Sequence, residues 1–125
     1  LERMFGCQIT GMAYPYGTYN DEVVQILKKC KIQYARSVVS SGAFKLQKNL
    51  LIFKPTCHHA DENIWELLEK FLKEKSEEKQ LFYIWGHSYE FDVNNNWKRM
   101  EEILDRLIGH NNIFYGTNRE VLLPC

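Results

Sequence analysis

Short apolar runs and amphipathic segments follow one another along this chain of 125 residues, and their order constrains the fold more than any other feature. Apolar, strand-like runs cover residues 7–13, 34–39 and 81–85. Segments with helical spacing begin after three predicted N-caps, Asn20, Asp61 and Asn96. Strands that alternate with helices predict an α/β fold with a largely parallel sheet and with the helices outside that sheet.

The apolar spacing also predicts where some elements begin and end. The first helix is predicted over residues 21–31, and the third is predicted to end before Gly109, where helices favour a left-handed residue. The run 81–85 is the strongest strand and is expected to be covered on both faces. Residues 113–115 and 120–123 are weaker final strands. One apolar face of the third helix is predicted to contain Trp97, Met100, Leu104, Leu107 and Ile108.

Length and charge exclude several classes of protein. The chain fits a single domain over residues 1–125. Its 16 Lys and Arg residues balance 16 Asp and Glu residues, so no nucleic-acid partner is expected. No apolar run approaches the roughly 20 residues needed to cross a bilayer, so no membrane partner is expected.

The four cysteines do not form a recognisable framework. Cys7, Cys30, Cys57 and Cys125 are scattered and contain no CxxC pair, which disulfide scaffolds and zinc knuckles would favour. We therefore predict free, partly buried thiols and a reducing, cytoplasmic location.

Most of the unusual residues fall in three loops that follow predicted strands, at residues 14–17, 55–61 and 86–90. Parallel α/β folds build their sites from such loops, because the carboxyl ends of neighbouring strands share one edge of the sheet. His58, His59 and His87 are therefore predicted to lie on one rim. His110 follows the end of a helix, where its ring can interact with the helix dipole.

His87 is the strongest candidate for proton transfer. Imidazole titrates near neutrality, so a histidine at a strand end can donate or accept a proton, and Glu90 could orient it. The alternative is a histidine that only bonds to the backbone of a tight loop.

Cys57, His58 and His59 offer soft and borderline metal ligands, but the triplet alone is a weak zinc signal. Adjacent residues on a strand point to opposite sides. One histidine is therefore expected to face the cleft while the other packs or caps the helix after Asp61, and no metal ligand is assigned.

The loop Pro15-Tyr16-Gly17 is compatible with an ordinary turn, or with backbone N–H groups directed at a ligand oxygen. Four aromatic residues near the predicted rim could stack on a sugar ring, although core packing is an equal alternative for at least one of them. They are Tyr14, Tyr16, Trp85 and Tyr89.

Several of these segments, in this order, resemble the later, C-terminal part of a NodB-type polysaccharide deacetylase domain. Pro15-Tyr16-Gly17 is similar to the family's Arg-x-Pro-Tyr-Gly loop, and residues 81–87 are similar to its closing Leu-x-His motif. Residues 86–92, Trp97 and residues 116–120 are similar to a bacterial branch of the family. The resemblance spans about residues 11–121.

The resemblance implies the C-terminal part of a deformed (β/α) barrel that uses one divalent metal, commonly zinc, to remove acetyl groups from a carbohydrate. The N–H of Tyr16 would hold the oxyanion, and His87 would protonate the leaving group. The remaining rim residues are candidates for binding the substrate. They are Pro15, Tyr14, Trp85, Tyr89, Glu90, His58 and His59.

The sequence departs from that family at the metal. The family's Thr-Phe-Asp-Asp and His-x-x-x-His motifs have no counterpart here, Ala13 replaces the expected Arg, and Trp85 replaces a Leu. We therefore expect an incomplete, inactive portion that self-associates or docks with an N-terminal half. Two alternatives remain: a non-catalytic module that binds carbohydrate or protein, and a metal site made by His58 or His59 with His87 and Cys57.

Overall fold

The computed structural model describes residues 1–123 and shows a mixed α/β protein with short parallel strand pairs. The chain forms two compact units, each with its own buried core. The first unit contains residues 1–39, 47–54 and 114–123, and the second contains residues 40–46 and 55–113. The single domain inferred from chain length stays a prediction. No helix in the described part of the chain is long and apolar enough to span a membrane.

The first unit is built around one strand–helix–strand segment, whose two strands pair in parallel with Gly11 opposite Tyr34. Asn20 caps the connecting helix, because its side chain accepts the N–H of Val23 at 2.8 Å. The core contains Tyr14, Val24, Ala35 and Leu51. The elements are α1 (Glu2–Phe5), β1 (Gly11–Ala13), α2 (Asp21–Lys29), β2 (Tyr34–Arg36) and α6 (Asn118–Leu122), with short 3-10 helices at Pro15–Gly17 and Leu50–Ile52.

The second unit repeats the strand–helix–strand arrangement, and its two strands pair in parallel with His58 opposite Trp85. The core contains Cys57, Ile64, Leu68 and Ile103, so the two longer helices cover the strand pair through aliphatic side chains. The elements are β3 (Cys57–His58), α3 (Ile64–Lys73), β4 (Ile84–Trp85), α4 (Tyr89–Val93) and α5 (Trp97–Leu107).

The alternation of strands and helices is confirmed, but the strands are shorter than predicted and form two separate pairs. In the run 81–85, only Ile84 and Trp85 are in a strand, and all five residues are half-buried rather than covered on both faces. The N–H of Tyr83 donates to the side-chain oxygen of Thr56 at 3.0 Å. The N–H of Thr56 still donates to the carbonyl of Tyr83 at 2.9 Å, so a side chain takes the place of a backbone partner only for the N–H of Tyr83.

Two helix predictions need correction. Asp61 is not the N-cap of α3: Asn63 holds that position, and the Asp61 carboxylate accepts the N–H of Asn63 at 2.9 Å. On α5, the fully buried residue is Ile103, while Leu104 is 52% exposed. Trp97 and Ile108 are also exposed, whereas Met100 and Leu107 pack against the core as predicted, so the buried face is rotated from the predicted one only in part.

The end of the described chain is helical where strands were predicted. Residues 113–115 are irregular, and most of the run 120–123 lies in α6. Thr117 and Glu120 form a capping box, in which each side chain accepts the backbone N–H of the other. By contrast, the predicted helix end at Gly109 is confirmed, since this glycine has a φ of +84°.

Candidate functional site

The loops that follow β3 and β4 meet in the second unit. Because the two strands are parallel, their carboxyl ends lie at the same edge. The backbone N–H of His59 donates to the carbonyl of Trp85 at 2.9 Å, which continues the pairing to the edge. The structure thus brings together the three histidines predicted for this rim, His58, His59 and His87, around Glu90.

Glu90 contacts all three histidines. Its Oε2 lies 2.7 Å from His59 Nε2 and 3.2 Å from His58 Nε2. The same oxygen accepts the backbone N–H of His87 at 3.0 Å, and Oε1 lies 3.3 Å from His87 Nδ1. The predicted orientation of His87 by Glu90 therefore has a structural basis. We call these four residues the histidine–glutamate cluster.

Hydrogen bonds keep Glu90 ionised. The N–H of His87 and then the ring of His59 lower the pKa of the Glu90 carboxyl to about 2. A carboxylate only accepts hydrogen bonds, so each ring nitrogen that faces Glu90 carries a proton.

The tautomer of His58 is fixed from both sides of its ring. Its Nδ1 accepts the backbone N–H of Ala60 at 3.1 Å, so that nitrogen has no proton. Its Nε2 faces Glu90 and carries the proton. Burial, followed by the neighbouring His59, lowers the pKa of His58, which is therefore neutral at pH 7.

His59 is the buried member of the cluster, with 2% of its surface exposed. Its ring packs 4.3 Å from Phe91 and 4.2 Å from His58, measured between ring centroids. The Nδ1 atom is buried and has no hydrogen-bond partner within residues 1–123. The His59 ring is thus held by packing and by one hydrogen bond between its Nε2 and Glu90.

Gly86 provides the space for both rings. A Cβ atom at this position would lie 2.0 Å from Cδ2 of His59 and 3.2 Å from Nε2 of His58. Real Cβ contacts are longer than this, so the cluster needs a glycine where β4 ends.

Arg99, on α5, holds the loop that follows β3 in place. Its guanidinium donates to the carbonyl of His59 at 3.1 Å and to that of Asp61 at 2.7 Å. It also lies 5.3 Å from the ring of Trp65. Arg99 therefore holds the turn that carries His58 and His59.

Aromatic rings flank the exposed side of His87. The Trp85 and Tyr89 rings lie 6.0 Å and 5.4 Å from the His87 ring. Tyr89 is 61% exposed, and half of the His87 side chain is exposed. A ligand can therefore reach this face of the cluster.

The first predicted loop belongs to the first unit. Tyr14 is 4% exposed and donates its hydroxyl to the carbonyl of Leu51 at 2.6 Å, so it is a core residue that is not available to a sugar ring. Pro15 begins the short 3-10 helix, and Tyr16 has a φ of 54° with an exposed side chain. Because Tyr16 and His87 lie in different units, their shared site stays a prediction.

Cys57 does not suit the role of metal ligand in the alternative site made by His58 or His59 with His87 and Cys57. It is fully buried, and desolvation, followed by the charge of Asp61, raises its pKa to about 12. Because the thiolate is the form that binds metals, this neutral thiol belongs to the core. Cys7 and Cys30 are free and exposed, contrary to the expected partial burial, and Cys125 lies outside the described residues.

Both adjacent histidines contact Glu90, but only His58 is partly exposed, whereas His59 is buried and packs on Phe91, which agrees with the expectation that one of them packs. The strand β3 ends at His58, so the alternation of side chains does not extend to His59. His58, His59 and Glu90 offer three possible metal-ligand atoms within 4.8 Å of one another.

In the hydrogen-bonded arrangement of the structure, however, the Nε2 atoms of both histidines are turned toward the Glu90 carboxylate. A metal needs the Nε2 lone pair, so the ring proton would move to Nδ1. The Nδ1 of His58 faces an N–H donor, and the Nδ1 of His59 is buried without an acceptor in the described chain.

Sequence reasoning missed Arg99 and Phe91, which hold the cluster from α5 and α4. No local signal marks Arg99, which is 40 residues from the carbonyl that it contacts. The interaction of His110 with its helix is confirmed, since its ring donates to the carbonyl of Arg106 at 3.0 Å.

Comparisons with models of protein families, with curated proteins and with solved structures find no match to this chain. A proposal for its function therefore depends on the residues and geometry described above.

Proposed function

We propose that this chain provides the general acid and part of the sugar-binding surface of a metal-dependent carbohydrate deacetylase. The observation that supports it best is the placement of His87 at the end of β4, where Glu90 holds both its backbone N–H and its ring. The resemblance assigns the same histidine to protonation of the leaving group. The deformed (β/α) barrel belongs to this proposal, and the two strand–helix–strand segments are compatible with it.

The geometry suits proton transfer from Nε2. Glu90 faces Nδ1 of His87, so Nδ1 carries a proton and Nε2 remains to hold or release a second one. As an imidazolium, His87 would donate the Nε2 proton to the departing amine or hydroxyl oxygen.

The exposed aromatic residues suit a carbohydrate ligand. The exposed Tyr89 and the half-buried Trp85 both lie beside His87 and can present a ring face to a pyranose. We assign them, with the partly exposed Glu90 and His58, to the substrate side of the site, and His59, which is 2% exposed, to the support of Glu90 from the interior. The role of Tyr16 as an oxyanion donor stays what the resemblance implies.

The sequence lacks the Asp and His motifs that hold the metal in the resembled family, and the Nε2 atoms of His58 and His59 are turned toward Glu90. We therefore propose that the chain acts only with residues supplied by another segment or subunit. Alone and with added zinc, it should not deacetylate a chito-oligosaccharide or acetylated xylan. Sustained turnover by the isolated chain would contradict this part of the proposal.

Binding can be tested without turnover. We expect an N-acetylated chito-oligosaccharide to quench tryptophan fluorescence, and Tyr89→Ala to weaken binding about three- to tenfold, the effect of one lost stacking contact. Tyr115→Ala is the matched control, since Tyr115 is a similarly exposed tyrosine in the first unit. Equal effects of the two variants would contradict the assignment of Tyr89.

A non-catalytic carbohydrate-binding module is the second candidate, because the described residues combine exposed aromatics with a histidine–glutamate cluster whose Nε2 atoms at His58 and His59 face the carboxylate. The coding sequence upstream of Leu1 separates the two. Asp-Asp and His-x-x-x-His motifs there support the enzyme, and their absence supports the binding module.

A further inference from the structure

We infer that Glu90 and His59 are positioning residues that hold His87 with a proton on Nδ1, and that the histidine–glutamate cluster carries protons where a metal would need lone pairs. Only the catalytic importance of His87 rests on the proposed function. The tautomers and the absence of metal binding follow from hydrogen bonds within the second unit.

Several donor groups surround the single carboxylate of Glu90. The two Glu90 oxygens have about four acceptor positions. They face four groups: His58 Nε2, His59 Nε2, and the backbone N–H and Nδ1 of His87. Three of them face Oε2, which has two acceptor positions: hydrogen bonds from His59 Nε2 and the His87 N–H fill these two, and His58 Nε2 lies 3.2 Å away as a close contact. Because a carboxylate attracts donors and repels lone pairs, the ring nitrogens that face it favour the protonated form.

Metal binding through Nε2 would require the ring protons of His58 and His59 to move to Nδ1. If His58 bound a cation through Nε2, its Nδ1 proton would face the Ala60 N–H, which is already a donor. If His59 did the same, a buried Nδ1–H would have no acceptor within residues 1–123. A buried donor or acceptor without a partner is unfavourable, so His59 Nδ1 is costly in either tautomer, and the 2.7 Å contact of Nε2 with the Glu90 carboxylate decides the position of the His59 proton. Both histidines therefore favour protonated Nε2 atoms.

The buried ring of His59 is held more firmly than the exposed ring of His87. His59 is packed between Phe91 and the backbone of Gly86, so its ring has little freedom. It holds Oε2 of Glu90 at 2.7 Å. Glu90 in turn contacts the more exposed His87 through backbone and ring. A buried ring thus sets the orientation of an exposed one through a shared carboxylate.

The test is a long-range ¹H–¹⁵N correlation spectrum of the full chain labelled with ¹⁵N-histidine, recorded near pH 7.5 without and with one equivalent of zinc. Protonated and unprotonated ring nitrogens resonate far apart. We expect protonated Nε2 in His58 and His59, protonated Nδ1 in His87, and no change at His58 or His59 with zinc. Loss of the Nε2 protons when zinc is added would overturn the inference, as would an unprotonated Nδ1 in His87.

The variant Glu90→Gln tests the positioning role. We expect His87 to lose the Nδ1–H tautomer in favour of the Nε2–H form that imidazole prefers in water. The control Glu66→Gln removes an exposed carboxylate of the same unit, which pairs with Lys70, and should leave His87 unchanged. An unchanged His87 tautomer in folded Glu90→Gln would overturn the inference.

If Glu90→Gln does not fold, His59→Gln provides the second variant, and the wild-type spectrum still decides the tautomers. These measurements need neither sugar nor turnover. Failure of sugar binding with the expected tautomers would reject the proposed function alone, whereas wrong tautomers with normal sugar binding would reject the positioning role alone.

Discussion

Gly86 shows how one residue without a side chain permits the site. Its backbone passes so close to the His59 ring that a methyl group would overlap Cδ2. The glycine was singled out from the sequence only because it precedes His87. Its contact with a histidine 27 positions earlier became visible only once β3 and β4 were paired.

The change Gly86→Ala should destabilise the second unit by about 1–3 kcal/mol, the usual cost of overpacking a filled interior. Urea denaturation followed by tryptophan fluorescence measures this unit, because Trp65, Trp85 and Trp97 all lie in it. The double variant with His59→Ala removes the overlap. We expect its destabilisation to be smaller than the sum of the two single changes, and simple additivity would contradict the contact.

Cys57 provides a prediction on thiol reactivity. Its buried thiol, with the pKa raised to about 12, should react with iodoacetamide far more slowly than Cys7 and Cys30 in the native protein. Peptide mapping by mass spectrometry separates the three sites, and denatured protein serves as the control. Alkylation of Cys57 at the rate of Cys30 would show that the core is open.

At the scale of elements, helices were predicted better than strands because their signals are local. The Asn20 cap and the apolar spacing that define α2 lie within one short segment. Strand pairing depends on distant partners, so the apolar run 81–85 did not reveal that only its last two residues would pair. The capping box at Thr117 was a local signal that could have identified α6.

The change Thr117→Ala should weaken α6. It removes an N-cap that accepts the N–H of Glu120, and such a loss costs about 0.5–2 kcal/mol. Amide hydrogen exchange should show faster exchange in residues 118–122, with α2 as an internal reference. Thr18→Ala is a control at an exposed threonine outside the long helices. Unchanged exchange in α6 would contradict the capping role.

Part of the site could be predicted from the sequence, because the order of strands and helices decides which loops lie together. Parallel strands place their carboxyl ends together, so the meeting of His58, His59 and His87 was predicted correctly. The contact of both His58 and His59 with Glu90 was not predicted, because it depends on where β3 ends. The role of Arg99 depends on helix packing that no short motif encodes.

At the scale of the whole molecule, stability should fall as the pH is lowered. The folded state depresses the pKa of His58 below its ordinary 6.5, so the unfolded chain takes up that proton first as the pH falls through this value. Glu90 has a pKa of about 2 in the fold against 4.5 ordinarily, so stability is lost further between these values. Both shifts act in the same direction.

Urea denaturation at pH 7.5, 5.5 and 3.5 measures this dependence through the tryptophans of the second unit. The free energy of unfolding should decrease at each step, and Glu90→Gln should reduce the decrease between pH 5.5 and 3.5. Glu77→Gln, at an exposed carboxylate of the same unit, is the control. A free energy that stays constant or rises on acidification would contradict the assigned protonation states.

The central claim is that a carbohydrate binds against His87, and histidine and indole resonances test it most directly. During titration with an N-acetylated chito-oligosaccharide, the His87 ring and the Trp85 indole should shift along one saturation curve, while His110 stays unchanged as the internal reference. His87 and Trp85 resonances that do not move at millimolar oligosaccharide would contradict the account.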